Sequence, residues 1–315
     1  MAAAVAEVSV LPDSVLLQVL ALLPPWDRLR PSRVCRRWRR LALDPTVWRH
    51  VDVSQRRLSS RALWQLLRRR LPSGLCTLRA RGSLLSSSRP PLLSPALLLA
   101  LGKRCPRLQH LSLTETDLRR IPYESIPASL RALELRRCEI PAAWFHPGSS
   151  PRPLRHLHIH HVPAFSDQHL LAACSQHRLQ TLSLRGSYRL TEPGMQRAAP
   201  YLQGLRRLEL RGCGAGDATM ASIGYHMKGL RELEVVACPV SSAGLGALKG
   251  LQHLEVLCLE LGEKVSAGAV IALGRALPLL RELRVVGACL ALGIMDQIRM
   301  DLSHCSCTHS PQPPA

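Results

Sequence analysis

Leu205-Arg-Arg-Leu208-Glu-Leu210-Arg-Gly-Cys213 is one copy of a phrase that recurs along the chain. The same Leu-x-x-Leu-x-aliphatic pattern begins at Leu75, Leu108, Leu130, Leu154, Leu179, Leu205, Leu230, Leu254 and Leu280. The first step is 33 residues and the later ones 22 to 26. Strand side chains alternate, so Leu208 and Leu210 point into a core while Arg207, Glu209 and Arg211 face solvent. Between copies, stretches such as Ala267–Gly274 place apolar residues at helical spacing and predict a return helix. One repeat cannot bury both its strand and its helix. Stacking buries both, so the fold class is α/β: a repeat solenoid, a horseshoe with parallel strands on its concave face.

This pattern is similar to the leucine-rich repeat in its cysteine-containing form. Leu130–Cys138, Leu205–Cys213 and Leu230–Cys238 carry the closing cysteine, and Thr116, Ser187 and Gly262 replace it elsewhere. The resemblance covers roughly residues 75–290.

The register names the outward side chains. Thr77, Arg79 and Arg81 lead, followed by His110 and Glu134, then His156, His158 and His160. Arg185, Arg207 and Arg211 come next, then Glu232 and Glu234, with Val236, Cys258 and Val286 among the last. The expected substrate-binding set is His156, His158, His160, Arg185, Arg207, Arg211, Glu232 and Glu234. An acidic element is expected over the three arginines. Alternate strand residues lie roughly 6–7 Å apart, so His156 and His160 are about 13 Å apart, too far to share an ion. His304-Cys305-Ser-Cys307 is tighter than common zinc spacing. Neither metal nor cofactor is expected, and residues 305–315 are expected to be a disordered tail.

The formal net charge is +20 and the pI about 10.7. Lysine occurs at four positions only, leaving 38 of the 42 basic residues as arginine, and asparagine is absent. A G/C-biased gene accounts for much of that excess. Arg68-Arg69-Arg70 has no interleaved aromatic and Arg36-Arg37/Arg39-Arg40 brackets only Trp38, so the signal for nucleic acid as the partner is weak. The chain shows no signal peptide and no stretch able to span a bilayer, so a membrane role is not expected. Eleven cysteines, several at the inward closing position, suit a reducing cytoplasm or nucleus. No phosphate loop, nucleophile elbow or zincin motif occurs, so no catalytic residue is expected.

Residues 8–50 differ from the array. Leu11-Pro12-Asp13 opens a helix carrying Val15, Leu16, Val19, Leu20 and Leu23, and Pro24-Pro25 ends it. A second short helix is expected to begin near Trp26-Asp27, and a third carries Val34, Cys35, Trp38 and Leu41 and runs to Trp48. Three short helices cannot bury this much apolar surface alone. The segment resembles an F-box, and the chain as a whole resembles the F-box/leucine-rich-repeat family. The resemblance implies a non-enzymatic substrate receptor of a Skp1–cullin–F-box ubiquitin ligase. Skp1 would contact Leu11, Pro12, Val15, Leu16, Val19, Leu20, Leu23, Val34, Cys35, Trp38 and Leu41. Cullin-1 and a RING subunit would follow through Skp1, and the repeats would hold a protein substrate for proteasomal degradation. Few lysines would also suit a protein that works beside a ubiquitin-charged enzyme. The alternative is a repeat scaffold that no longer recruits Skp1. Pro31 keeps it open, because it falls inside the second F-box helix and an internal proline costs roughly 3 kcal/mol. A kink is expected rather than loss of docking, since Val34, Cys35 and Trp38 lie beyond it. The expected organisation is a disordered 1–7, an F-box at 8–50, a linker or N-terminal cap at 51–74, about nine repeats with a C-terminal cap over 75–304, and the tail.

Overall fold

The computed structural model describes residues 11–84, 91–145, 154–261, 263–287 and 293–310. It divides into two compact units, Met1–Leu130 and Arg131–Ala315. Among the described residues no helix is long and apolar enough to cross a membrane.

The first unit opens with helix α1 (Asp13–Leu22), a 3-10 turn at Pro31–Arg33, helix α2 (Arg36–Ala42) and a second 3-10 turn at Pro45–Trp48. Pro31 stands at the first position of its turn, where a missing N–H breaks no bond. The chain then restarts at α2, whose N-cap Cys35 accepts the Trp38 amide at 3.4 Å. Instead of an interior helical proline, the sequence makes two short helices around a turn. The last helix also stops at Ala42 rather than reaching Trp48.

Strand β1 (His50–Arg57), helix α3 (Ser60–Arg69), strand β2 (Thr77–Arg81), helix α4 (Pro95–Arg104) and strand β3 (His110–Thr114) complete this unit. Residues 51–74, expected as a linker or cap, are a strand and a helix. β1 pairs in parallel with β2 through Val51 and Leu78, with an irregularity between Asp52 and Arg57. The leucine phrase is missing there, yet Val51 and Val53 are buried, as are Leu78 and Ala80 of β2. Ser59 and Ser94 cap α3 and α4 by accepting the amides of Ala62 and Leu97.

The second unit carries strands β4 (Ala132–Arg136), β5 (His156–His160), β6 (Thr181–Arg185), β7 (Arg207–Arg211), β8 (Glu232–Val236), β9 (Val256–Glu260), β10 (Glu282–Val286) and β11 (Ser306–Ser310), which alternate with helices from β5 onward. The helices are α5 (Asp167–Gln176), α6 (Glu192–Ala198), α7 (Asp217–His226), α8 (Ser242–Gly246), α9 (Ala267–Ala276) and α10 (Ile294–Asp301). The strands pair in parallel and in chain order, an α/β leucine-rich-repeat sheet. Leu133, Leu157, Leu182, Leu208, Leu233, Leu257 and Leu283 lie in one register row, all buried.

Two devices repeat. The residue after each strand from β4 to β8 (Arg137, His161, Gly186, Gly212, Ala237) has a positive φ, and Glu115 after β3 matches them. Only glycine adopts this turn without strain, so the other four cost about 1 kcal/mol each. Neighbouring helices are also locked by carboxylates. Asp167 accepts the Thr191 amide and hydroxyl at 2.9 and 2.6 Å, and Asp217 accepts those of Ser241 at 2.7 and 2.5 Å. Thr191 and Ser241 are the N-caps of α6 and α8.

The expected disordered tail is corrected at Ser306–Ser310, which pairs residue by residue with Glu282–Val286 as β11. α10, with Ile298 and Leu302 buried, supplies the return that brings this strand alongside β10. Leu290, where the cap was expected to begin, lies outside the described residues, as do 1–7.

Candidate binding surfaces

In the first unit, α1 is apolar on two stripes. Leu16 and Leu20 turn inward and are buried. Val15, Val19 and Leu22, at i, i+4 and i+7, turn outward, and Leu22 is 86% exposed. Val34, just beyond the Pro31 turn, is 69% exposed. Of the expected docking residues, Leu11, Pro12, Val15, Val19, Val34 and Cys35 lie on the surface, while Leu23 and Trp38 are half-buried. Leu16, Leu20 and Leu41 are corrected to core: packing of α1 on α2 and on the Pro45–Trp48 turn consumes their side of the helices. Leu22 and Leu43 were missed. The signal for Leu22 was its place on the Val15–Val19 stripe.

The exposed stripe is held in place by charge. Asp13, at the start of α1, takes hydrogen bonds from Arg37 (2.7 Å) and Arg40 of α2. The Arg37 hydrogen bond, with Arg40 beside it, holds the Asp13 carboxyl below the usual range although burial opposes this. At the other end of α1, Arg28 is buried, 4% exposed. Its guanidinium donates to Ala21 O (2.9 Å), Leu23 O (2.8 Å), Val47 O (2.7 Å) and His50 O (3.0 Å). It also stands 5.5 Å from the centre of the Trp48 ring. Burial lowers its pKa, and it remains a cation at neutral pH. One side chain thus caps the carbonyl end of α1, where the helix dipole favours a cation, and ties it to β1. Nothing in the sequence pattern marked Arg28.

On the strand wall of the second unit, the outward register is as expected, but its charges are already paired. Arg185 pairs with Glu209, Arg207 with Glu232 at 2.6 Å, Arg211 with Glu234 at 2.8 Å and Arg136 with Glu134. The three arginines expected to meet an acidic element are therefore neutralised by neighbours one strand away, Glu232 and Glu234 among them. The histidine run splits rather than converges. His156 Nδ1 lies 3.0 Å from Thr181 Oγ1. His160, 8% exposed, lies 3.0 Å from Ser183 Oγ, which donates to Glu209 at 2.8 Å. With its proton committed to Glu209, Ser183 accepts from His160 Nε2–H, which places a proton on that ring nitrogen. Burial, then Arg136 and Arg185, push the His160 pKa down to about 4. His158 sits edge-on to His160, ring centres 6.2 Å apart. Val236, Cys258 and Val286, expected in solvent, form a buried cluster of their own. Among the described residues no group of three or more His, Cys, Asp or Glu is arranged to hold a metal.

A helical module with an outward apolar stripe, followed by stacked strand–helix repeats, defines a leucine-rich-repeat protein with an N-terminal helical head. The F-box-like family model matches residues 8–54. The human F-box/LRR-repeat protein 12 is 41% identical over 285 residues, 88% of this chain and 87% of that protein. The cattle protein of the same name gives 41% over 88% and 87%, and the mouse one 42% over 79% and 78%. Among solved structures, the yeast Rad7 and Elc1 complex aligns at a TM-score of 0.49 and 18% identity, over 75% of this chain and 68% of that one. The chain belongs to the F-box/leucine-rich-repeat protein family.

Proposed function

We propose that this protein is the substrate-receptor subunit of a Skp1–cullin–F-box ubiquitin ligase, with Skp1 docked on the F-box and a protein substrate held by the repeats. The observation that carries it is the α1 stripe of Val15, Val19 and Leu22, with Val34: large aliphatic side chains held in solvent by an ordered framework. Exposed apolar surface on a rigid support marks a protein interface. Cullin-1 and the RING subunit would join through Skp1. The receptor itself does no chemistry. It raises the effective concentration of substrate lysines near a ubiquitin-charged enzyme, turning a bimolecular encounter into an intramolecular one. The cytoplasm and nucleus are its proposed compartments. Substrate ubiquitylation and proteasomal turnover are the proposed outcome.

Pro31 does not favour the scaffold alternative, since the chain accommodates it at the start of a turn. Co-expression with Skp1 and purification at physiological ionic strength tests the reading. Stoichiometric Skp1, lost on Leu22→Glu and Val34→Glu with melting unchanged, supports it. A well-folded wild-type protein that brings down no Skp1 overturns it in favour of the scaffold.

A further inference from the structure

One row of uncompensated charge in the second unit lies beside the strand wall, at the strand entrances. There the residue just before each strand bonds laterally to its counterpart. Arg155 N–H donates to Arg131 O at 2.8 Å, Gln180 N–H to Arg155 O at 2.7 Å, Arg206 N–H to Gln180 O at 2.9 Å and Arg231 N–H to Arg206 O at 2.8 Å. These bonds set the roots of the side chains about 5 Å apart. Where the row has Gln180, Arg178 is exposed two residues earlier. Arg131, Arg155, Arg178 and Arg206 are all exposed. Among the described residues no carboxylate lies within ion-pair distance of any of them, whereas Arg185, Arg207 and Arg211 on the wall are paired. Like charges on neighbouring strands repel, and a one-sign row of this kind attracts anions.

The row also limits what the anion is. It crosses three inter-strand steps, about 15 Å, which an extended polypeptide covers in about five residues. Beyond it Arg231 pairs with Glu255 at 3.4 Å, and Glu232 and Glu282 stand at the following strand starts. Glu232 in turn pairs with Arg207 and Glu282 with Arg284, so the row of unpaired arginines is interrupted there and gives a long uniform polyanion no continuous grip. The four positions include no aromatic on which bases would stack.

We propose that Arg131, Arg155, Arg178 and Arg206 form a docking strip for a short acidic stretch of a protein partner. The strip rests on the repeats being the capturing arm, as in the function proposed above, and not on Skp1 docking. Each arginine meets one carboxylate, and the partner's acidic stretch ends where the arginines are already paired.

The test is fluorescence anisotropy of the full-length chain with a labelled decapeptide carrying five consecutive glutamates, with its glutamine counterpart, and with a decamer of thymidylate. The variant Arg131→Gln/Arg155→Gln/Arg178→Gln/Arg206→Gln is expected to weaken the glutamate peptide about 10-fold, as four solvent-exposed ion pairs would. Arg61→Gln/Arg69→Gln/Arg70→Gln/Arg107→Gln removes the same net charge from the first unit and is expected to change binding less than about 2-fold, the limit of a general field effect. Equal losses in the two variants overturn the strip, as do binding indifferent to both, glutamine-peptide binding equal to the glutamate peptide's, and thymidylate bound more tightly than the peptide. Skp1 co-purification, measured on the same proteins, is expected to be unchanged by the strip variant. Absent Skp1 with intact peptide binding would sink the ligase reading alone.

Discussion

Replacing Arg28 by alanine removes a side chain that bonds both the end of α1 and the Val47–His50 segment. Four carbonyl oxygens, those of Ala21, Leu23, Val47 and His50, lose donors at 2.7–3.0 Å. A hydrogen bond from a charged donor contributes roughly 1.5–3 kcal/mol, and each buried carbonyl left unpaired costs about 1–3 kcal/mol. The terms do not add fully, because water reaches the helix end and the buried cation's own desolvation, several kcal/mol, is relieved. The expected net loss is about 3–5 kcal/mol. Arg28→Lys is expected to recover only part of it, since an ammonium has three donors in a compact head and cannot span four oxygens. The control is Arg30→Ala, whose exposed pair with Asp27 is worth less than about 1 kcal/mol. Urea denaturation followed by tryptophan emission reads the change, since Trp48 packs beneath the guanidinium. Skp1 capture should fall in parallel, because the exposed stripe depends on α1 being held. A loss under about 1 kcal/mol for Arg28→Ala would refute the reasoning.

Leu16→Ala should cost about 2–5 kcal/mol as a core cavity, while Val19→Ala on the outward stripe should leave the unfolding free energy within about 0.5 kcal/mol of the unsubstituted chain, both read by urea denaturation; equal costs would mean that the two stripes are misassigned. Gly224→Ala should destabilise by roughly 1–3 kcal/mol, because its Cβ would stand 2.1 Å from Ala247 O of the adjacent repeat; a neutral thermal melt would refute this. The lowered pKa of His160 means that the folded state resists protonation. Stability is therefore fully present above about pH 6.5 and is lost progressively towards about pH 4, by roughly 2–3 kcal/mol. His160→Gln should flatten that part of the stability–pH curve, measured by denaturant titration at several pH values; an unchanged slope would rule out His160 as its source.

The repeat array was legible because it is written in local periodicity. Alternation within Leu208-Glu-Leu210 sets which side of a strand is buried, and the spacing of the copies sets that each strand is parallel to the next. The outward register was readable for the same reason. β1 and β11 were not legible as strands. Neither His50–Arg57 nor Ser306–Ser310 carries the leucine phrase, and each is a strand because a neighbouring repeat offers it a sheet edge to pair with.

By itself, the sequence determined the α/β repeat class, the helical head and the family, since these follow from short local patterns and from the regular spacing of their copies. Only the tertiary structure decided which groups are available to a partner. Arg207 and Glu232 are 25 residues apart in the chain and form one ion pair in space. Leu16 and Leu22 are both leucines of one helix, one buried and one in solvent. Arg28 reads as an ordinary surface arginine until four carbonyls converge on it. Burial and charge compensation are properties of residues brought together from different repeats, so no single stretch of the chain contains them.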